Sequence, residues 1–523
     1  MNYATTDGSG AFTGATPESQ GIPSRAITGV IDGIKDAGLD IHSLHVFRNG
    51  YLVAGGCAKP YGKKKLRRIY SSAKSVSSLA VLFALQEGLL KLDDPIIRYF
   101  PGMLPDKVSD NLAALTVFDM LIMATGMEVD GLEKYLLSKG EIELAGSFFS
   151  YEVKNKPGTV FFYNNAVPEI LGMLIEKVTG QTYVEYLTPR VFSPLNAYFS
   201  VQKTDQGWLD GSTTVSTVLD LAKFTLLYLQ GGMWEGRQLL DKGLIKQAVT
   251  KQISTEGVTG IDHMFHKKDE CGYGMQIWMN RFGGFRLVGA FGQTGMAIPE
   301  KNLAVVYTGM ETGDIDKLIY ENIYLNLDTE TADETESAAI DRDSMEKRFL
   351  NWSSAPENTA VESEYAAIYN GRRFSVENNT YGITGITFCF QSKKLIIEQG
   401  SVVTTLTYGT GGEFAENSKG INTPYNAQVV YGVETDTIYV SAGWIKNTFL
   451  FEVRHAADMI TDYFEATFND NEALLFCENT LDRSRVFHGF GDVPEFADEV
   501  ECFDIEKYTT RRTSKCKMND PLL

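Results

Sequence analysis

The stretch IYSSAKSVSSLAVLFALQEGLLKLDDPI, Ile69–Ile96, puts three hydroxyls and a lysine at the head of an otherwise oily helix. If the helix begins at Ser71, then Ser71 and Lys74 lie three apart on one face. An amine beside a hydroxyl can take its proton, provided the amine is neutral. A lysine at its ordinary pKa of about 10.4 is a poor base at pH 7, so such a site must lower it by burial or by neighbouring cations. The helix N-terminus adds oriented N–H groups that favour developing negative charge. The competing reading is a cap, since serine at a helix start usually caps it. A lone SxxK is also weak, with roughly two chance matches expected in a chain of this size. Ser200–Lys203 (SVQK) is such a second match, with no amphipathic helix after it.

Outward from this helix the pattern alternates between helix and strand. Thr16–Gly38 gives an amphipathic helix, and SLHVFRNGYLVAGG (Ser43–Gly56) reads as two strands around an Asn-Gly turn. From about residue 92 to residue 210 the pattern is helical with long loops. LDLAKFTLLYLQGG (Leu219–Gly232) is a helix with a glycine stop. Three strand-like segments follow between Cys271 and Met310, then an amphipathic helix at Asp314–Leu327. This order implies an α+β domain over residues 17–327, an antiparallel sheet flanked by helices with a helical subdomain at about 92–210. Residues 1–16 read as a loose N-terminus. Residues 328–351 are acidic and read as a linker or an exposed helix. Beyond them GITFCF, KLIIEQ, AQVVYGV, DTIYVSAGW and TFLFEV recur between polar turns. They imply an all-β barrel or sandwich over about 352–490. Trp444 there reads as core, with lining a barrel or reaching toward the cleft as the alternatives. Residues 491–523 read as a tail without period.

The chain has 523 residues, more than one compact core holds. Its net charge of −19 repels phosphate backbones and anionic membranes, so neither nucleic acid nor a membrane is an expected partner. The apolar run Leu79–Leu85 is too short to span a bilayer. The N-terminus MNYATTDGSGAFTG lacks the basic start and apolar core of a signal peptide. A cytoplasmic location is therefore expected, or a periplasmic or secreted one if a leader was removed. The six cysteines form no CxxC pairs and read as reduced structural thiols. His263 and His266 have a spacing that could suit a metal but lack nearby partners, so no metal or other cofactor is expected. Neither a GxSxG elbow nor an HExxH motif occurs.

Two further segments bear on Ser71. PGTVFFYNNAVPEILGMLIEKVTG (Pro157–Gly180) places Tyr163 and Asn165 just before a helix. A tyrosine near a lysine can share its proton and act as acid or base, and an asparagine can hold Lys74 and a substrate carbonyl together. A core tyrosine and a capping asparagine are the plain alternatives. GAFGQTGMAIPEKNLAVVYTG (Gly289–Gly309) offers a glycine-containing strand that could lie against a substrate.

These segments, in this order, resemble the serine β-lactamase and penicillin-binding-protein family. The likeness is greatest to its class C-like branch, which includes esterases, amidases and D-amino-acid peptidases. FDMLIMATGM (Phe118–Met127) and Asp210–Leu240 extend the resemblance, which runs from Thr16 to Leu327. It implies that Ser71 is the acylated nucleophile, that Lys74 and Tyr163 share acid and base duty, and that Asn165 orients Lys74 and substrate. It implies too that the Ser71 N–H forms half of an oxyanion hole. The third motif departs from the family. Where a Lys-Thr-Gly or a His-Gly-Gly followed by Gln is typical, this chain has Ala290-Phe291-Gly292-Gln293, or on a rival alignment Gln293-Thr294-Gly295. Neither supplies a cation, so uncharged esters, amides or D-amino-acid peptides are the expected substrates ahead of anionic β-lactams, and Phe291 narrows the site. A silent binder of peptide or cell-wall fragments is the alternative, with a true β-lactamase behind it. The substrate is a small molecule or peptide, and the sequence leaves the oligomeric state open.

Overall fold

A computed structural model describes residues 2–3, 12–132, 135, 142–256, 271–311, 313–328, 335–356, 359–377, 379–422, 437–455, 461–469, 472–479 and 513–518. His263, His266 and the run AQVVYGV lie outside them. Chain order in the first domain begins with α1 (Ser24–Asp36), β1 (Asp40–Arg48), β2 (Tyr51–Cys57), β3 (Arg67–Arg68) and α2 (Ser72–Gln86). After the helical block come α3 (Ala166–Thr179), β4 (Leu209–Ser216) and α4 (Val218–Leu229). It closes with β5 (Trp278–Met279), β6 (Phe285–Gly289), β7 (Gln293–Ile298), β8 (Leu303–Glu311) and α5 (Ile315–Asn322).

Six of these strands form one antiparallel sheet in the order β2-β1-β8-β7-β6-β5. The Asn49-Gly50 turn joins β1 to β2 with both residues at positive φ, 51° and 85°, as a two-residue hairpin demands. Both faces of the sheet are covered, so β8 opens on a continuous apolar run, Leu303–Tyr307. Leu303, Val305 and Tyr307 share a core with Ile27, Val30 and Ile34 of α1. Ala304 and Val306 face the other way, into the core that holds α2, α3 and α4. Helix α2 lies at the centre of that core, with most of its residues buried, as its apolar surface on more than one face demands. Its buried serines are satisfied: Ser72 and Ser75 donate to the carbonyls of Gln293 and Gln276.

The acidic segment forms helix α6 (Glu336–Leu350) instead of an open linker. It packs on α1, where Arg348 forks onto Asp32 at 2.7 and 3.0 Å, and Met345 is buried. The expected loose N-terminus contributes a two-residue strand, Asn2–Tyr3, paired with Val201 and Gln202.

The second domain is a single antiparallel sheet of ten strands. These are β9 (Arg372–Val376), β10 (Gly385–Cys389), β11 (Lys394–Gln399), β12 (Val402–Thr407) and β13 (Ala415–Asn417). They continue with β14 (Ile438–Ile445), β15 (Thr448–His455), β16 (Thr461–Asn469), β17 (Glu472–Asn479) and β18 (Thr513–Met518). The order is β12-β11-β10-β9-β18-β17-β16-β15-β14-β13. The segment expected to be a tail thus supplies an inner strand, β18. The strand-rich second domain is as expected, but the described strands form no closed barrel. The edges β12 and β13 meet through a side chain, Asn417, which accepts from Thr407 N at 2.7 Å and donates to Thr407 O at 2.8 Å. No backbone ladder joins these edges among the described residues, so the sheet curls without closing. Phe374, Phe388, Phe449, Phe468 and Trp444 fill its inside, which places Trp444 in the core.

Candidate active site

Ser71 stands at the head of α2 with φ −63° and ψ −11°, and its hydroxyl makes no capping bond. It accepts instead from Lys74 Nζ at 2.8 Å. Both side chains are half-buried, so the pair is reachable from solvent. The residue before it, Tyr70, is held at φ 47°, a left-handed conformation that bulky residues rarely adopt. This turn is fixed on one side by Ile69 N, which donates to Thr214 O of β4, and on the other by Ala73 N, which donates to Tyr70 O. The second SxxK match, Ser200–Lys203, is a strand, where residues three apart point to opposite faces.

Asn165 precedes α3 and likewise makes no capping bond with its side chain. Its Oδ1 accepts from Lys74 Nζ at 3.0 Å. Its amide nitrogen donates to Asp130 Oδ2 at 2.7 Å, and its backbone N–H donates to Asp130 Oδ1 at 3.1 Å. Tyr163 is buried; its ring stacks on Trp278 with centroids 5.6 Å apart and lies 5.1 Å from Lys74 Nζ. The ring face therefore meets the amine, a cation–π distance. Ser71, Lys74, Tyr163 and Asn165 thus come together from α2 and from the segment that leads into α3.

The third motif is the tight turn between β6 and β7. Gly289 pairs with Gln293, so Ala290-Phe291-Gly292 bridges the two strands. Phe291 takes φ 63° and Gly292 φ 88°. The Phe291 ring meets the Tyr70 ring edge-on, with centroids 5.2 Å apart. A methyl group at Gly289 would collide with the carbonyl oxygen of Ile69, so this hairpin lies directly against the backbone that carries Ser71. The rival alignment fares otherwise. Thr294 is buried, and a methyl group at Gly295 would strike Thr225 of α4. Gln293, expected to touch substrate, is fully buried and donates from Nε2 to Gly309 O at 2.7 Å. Its place is in the sheet because it opens β7 with its side chain turned inward. Arg286 of β6 does not take the place of the cation this motif lacks, being buried against Asp316 at 2.7 Å.

Two carboxylates near the amine escaped the sequence reading. Asp130 lies 35 residues before Asn165, and no periodicity links them. Glu169 is one turn beyond Asn165 on α3, a spacing that could have shown it. Its Oε1 accepts from Gly211 N at 3.1 Å. Burial first, then the charge of Asp210, pushes its carboxyl well above the usual carboxylate range, with Lys74 opposing.

Chemically, the arrangement offers a serine oxygen, an amine in contact with it, and backbone N–H groups at a helix start and an adjoining turn. Such a hydroxyl–amine pair can serve as a nucleophile with its base, and N–H groups at a helix start can meet developing negative charge.

A family model described as Beta-lactamase matches residues 33–325. Protein flp of Staphylococcus aureus (strain NCTC 8325 / PS 47) is 30% identical over 131 residues, covering 24% of this chain and 26% of that one. The match therefore spans about a quarter of that relative's length. The 6-aminohexanoate-dimer hydrolase of Paenarthrobacter ureafaciens is 26% identical over 263 residues, covering 46% of this chain and 64% of that one. Among solved structures, the octameric penicillin-binding protein homologue from Pyrococcus abyssi shares 18% identity with a TM-score of 0.44, covering 86% of this chain and 97% of its own. No helix among the described residues is long and apolar enough to cross a membrane.

Proposed function

Because this chain belongs to the beta-lactamase family, we propose that it hydrolyses an uncharged ester, amide or D-amino-acid peptide through an acyl-enzyme on Ser71. The observation that carries this is the 2.8 Å contact between Lys74 Nζ and a Ser71 hydroxyl that caps nothing. In the neutral form, Lys74 takes the Ser71 proton as Oγ bonds to the substrate carbonyl carbon. The negative oxygen that forms is met by the Ser71 N–H at the start of α2, with a second donor from the Ala290–Gly292 turn. The proton passes to the leaving group by way of Lys74 and Tyr163, and water then attacks the acyl-enzyme in the reverse sequence. Asn165 orients the amine and a substrate amide. The Ala290–Gly292 turn lacks the cation that would hold a carboxylate, which favours uncharged acyl donors. The names of the relatives, a 6-aminohexanoate-dimer hydrolase among them, are consistent with amide chemistry.

Intact-protein mass spectrometry after exposure to a panel of activated esters and amides tests this. The wild type gains the mass of one acyl group, and Ser71→Ala gains none. A wild type that takes up no acyl group from any donor would sink the enzyme reading. The same lack of a cation also suits a second reading, a silent peptide binder. That protein would gain thermal stability from a ligand it never turns over.

A further inference from the structure

The hydrogen bonds converging on Asn165 decide which way its amide points. Asp130 takes both the side-chain and the backbone N–H of Asn165. An ionised carboxylate only accepts, so the amide nitrogen must face Asp130 and the amide oxygen is left for Lys74. Asp130 is itself anchored, since Oδ1 also accepts from Leu132 N at 3.1 Å. The neighbouring Asn164 ties down the same loop, accepting from Gly131 N at 3.0 Å and donating to Val129 O at 3.3 Å. The YNN triplet thus uses one asparagine to fasten the loop and the next to read its carboxylate.

We infer that Asp130 is a positioning residue for the proton transfer: it holds Asn165 with its oxygen toward Lys74. The inference rests on the acyl-enzyme reading above. With the oxygen inward, one lysine N–H is committed to Asn165, and the lone pair of the neutral amine is left for the Ser71 proton. With the amide reversed, an Asn165 N–H would donate to that lone pair and occupy the base. Replacing Asp130 by asparagine permits this reversal, because an amide at 130 can also donate. A reversed amide and a lost negative charge both disfavour the charged amine, so the acid limb of the pH profile moves to lower pH while the plateau falls. Among the described residues, the other titratable groups facing Lys74 are Tyr163 before α3 and Glu169 on α3, with Asp210 of β4 behind Glu169. Changes at residue 130 leave all three in place.

The experiment measures the rate of Ser71 acylation by p-nitrophenyl acetate against pH, using the full chain. Asp130→Asn is expected to lose about 10- to 150-fold in maximal rate, the cost of a lost hydrogen bond to a charged group. Apparent substrate affinity stays within about twofold, the acid limb moves down in pH, and Asp130→Glu recovers part of the rate. If Asp130 acts through Asn165, Asp130→Asn adds no further loss in an Asn165→Ala background. Should Asp130→Asn fail to fold, the same cycle is run with Asp130→Glu. A lowered plateau with an unmoved limb, or losses that multiply in the double variant, would overturn the inference and leave a structural role. A wild type that is never acylated would instead bring down the acyl-enzyme reading itself.

Discussion

At Gly289 the backbone of β6 comes so close to Ile69 O that no side chain fits. The obstacle is a main-chain carbonyl, which cannot rotate away as a flexible side chain would. Gly289→Ala must therefore push the Ala290–Gly292 turn away from the backbone that leads into Ser71. Loss of one anion-stabilising donor typically costs about 100- to 1000-fold in rate. We expect Gly289→Ala to lose acylation on that scale, with substrate affinity changing far less. Burst kinetics with an activated ester give the number, and an unchanged burst rate would remove the turn from the site. The same scale shows what was legible. Ser71 and Lys74 could be paired because helical spacing alone brings residues three apart together. Asp130 could not, because it lies 35 residues before Asn165 and leaves no period to read. Gln293 was misread because a motif alignment gives a position along a strand but not the face its side chain takes.

At the scale of the element, β1 carries two histidines that the site does not use. His42 is fully buried, stacked on Tyr61 and 3.3 Å from Asp40; His45 is buried beside Gly55. Burial lowers the His42 pKa to about 4, with Arg67 and Arg454 adding to it and Asp40 opposing. Burial, with Lys63 and Arg67, lowers His45 to about 3. The unfolded chain protonates both near pH 6.5. Between pH 6.5 and 4 it therefore binds more protons than the folded chain. Stability is full above pH 6.5 and is lost as pH falls through that window, at up to about 1.4 kcal/mol per pH unit for each histidine. Asp40 has the opposite history: burial works against its charge, but Arg454 and His42 outweigh it and hold the carboxyl below the usual range. Its contribution begins to fail only below about pH 4. Urea midpoints between pH 6.5 and 4.5 should fall steadily, and His45→Gln should flatten the slope by about half. An equally steep slope in that variant would show that other groups carry it. Elements were legible where both ends of a pattern lay in one segment, as in the Asn49-Gly50 hairpin. They were not where the partner is remote: β18, TSKCKM, is only six residues long and weakly apolar, and its strand identity comes from pairing with β9 and β17.

For the whole molecule, the decisive contact is Arg454 of β15, which reaches from the second domain into the first. Its side chain is only 4% exposed. Nη1 lies 3.1 Å from both oxygens of Asp40, Nη2 donates to Ser354 O at 2.8 Å, and Nε donates to Glu452 at 2.8 Å. Nη1 also reaches the hydroxyl of Tyr61 at 3.3 Å. One guanidinium therefore joins β1, the segment after β2, the segment after α6 and its own strand. Around it the contacts are weaker: Lys59 pairs with Glu413 and Lys65 with Glu416, all four exposed. Exposed pairs contribute little, about 0–1 kcal/mol each. A buried pair differs, because removing one partner strands the other charge in a poor solvent at about 3–5 kcal/mol. Arg454→Ala leaves both Asp40 and Glu452 in that state. Arg454→Lys keeps the charge but not the fork, so it should fall between the two. The consequence concerns how the domains unfold. With Arg454 in place, melting the second domain strands Asp40 and melting the first takes one acid from the buried Arg454, so the two should melt together. In Arg454→Ala that penalty is already present in the folded state, so calorimetry should show a lower first transition that separates from the second. A single transition at the wild-type temperature would mean that the domains are joined instead by the backbone bonds of Lys59 with Trp352 and Ser354 and by the Ser353 hydroxyl on Gly412 O, with Arg454 contributing only local order.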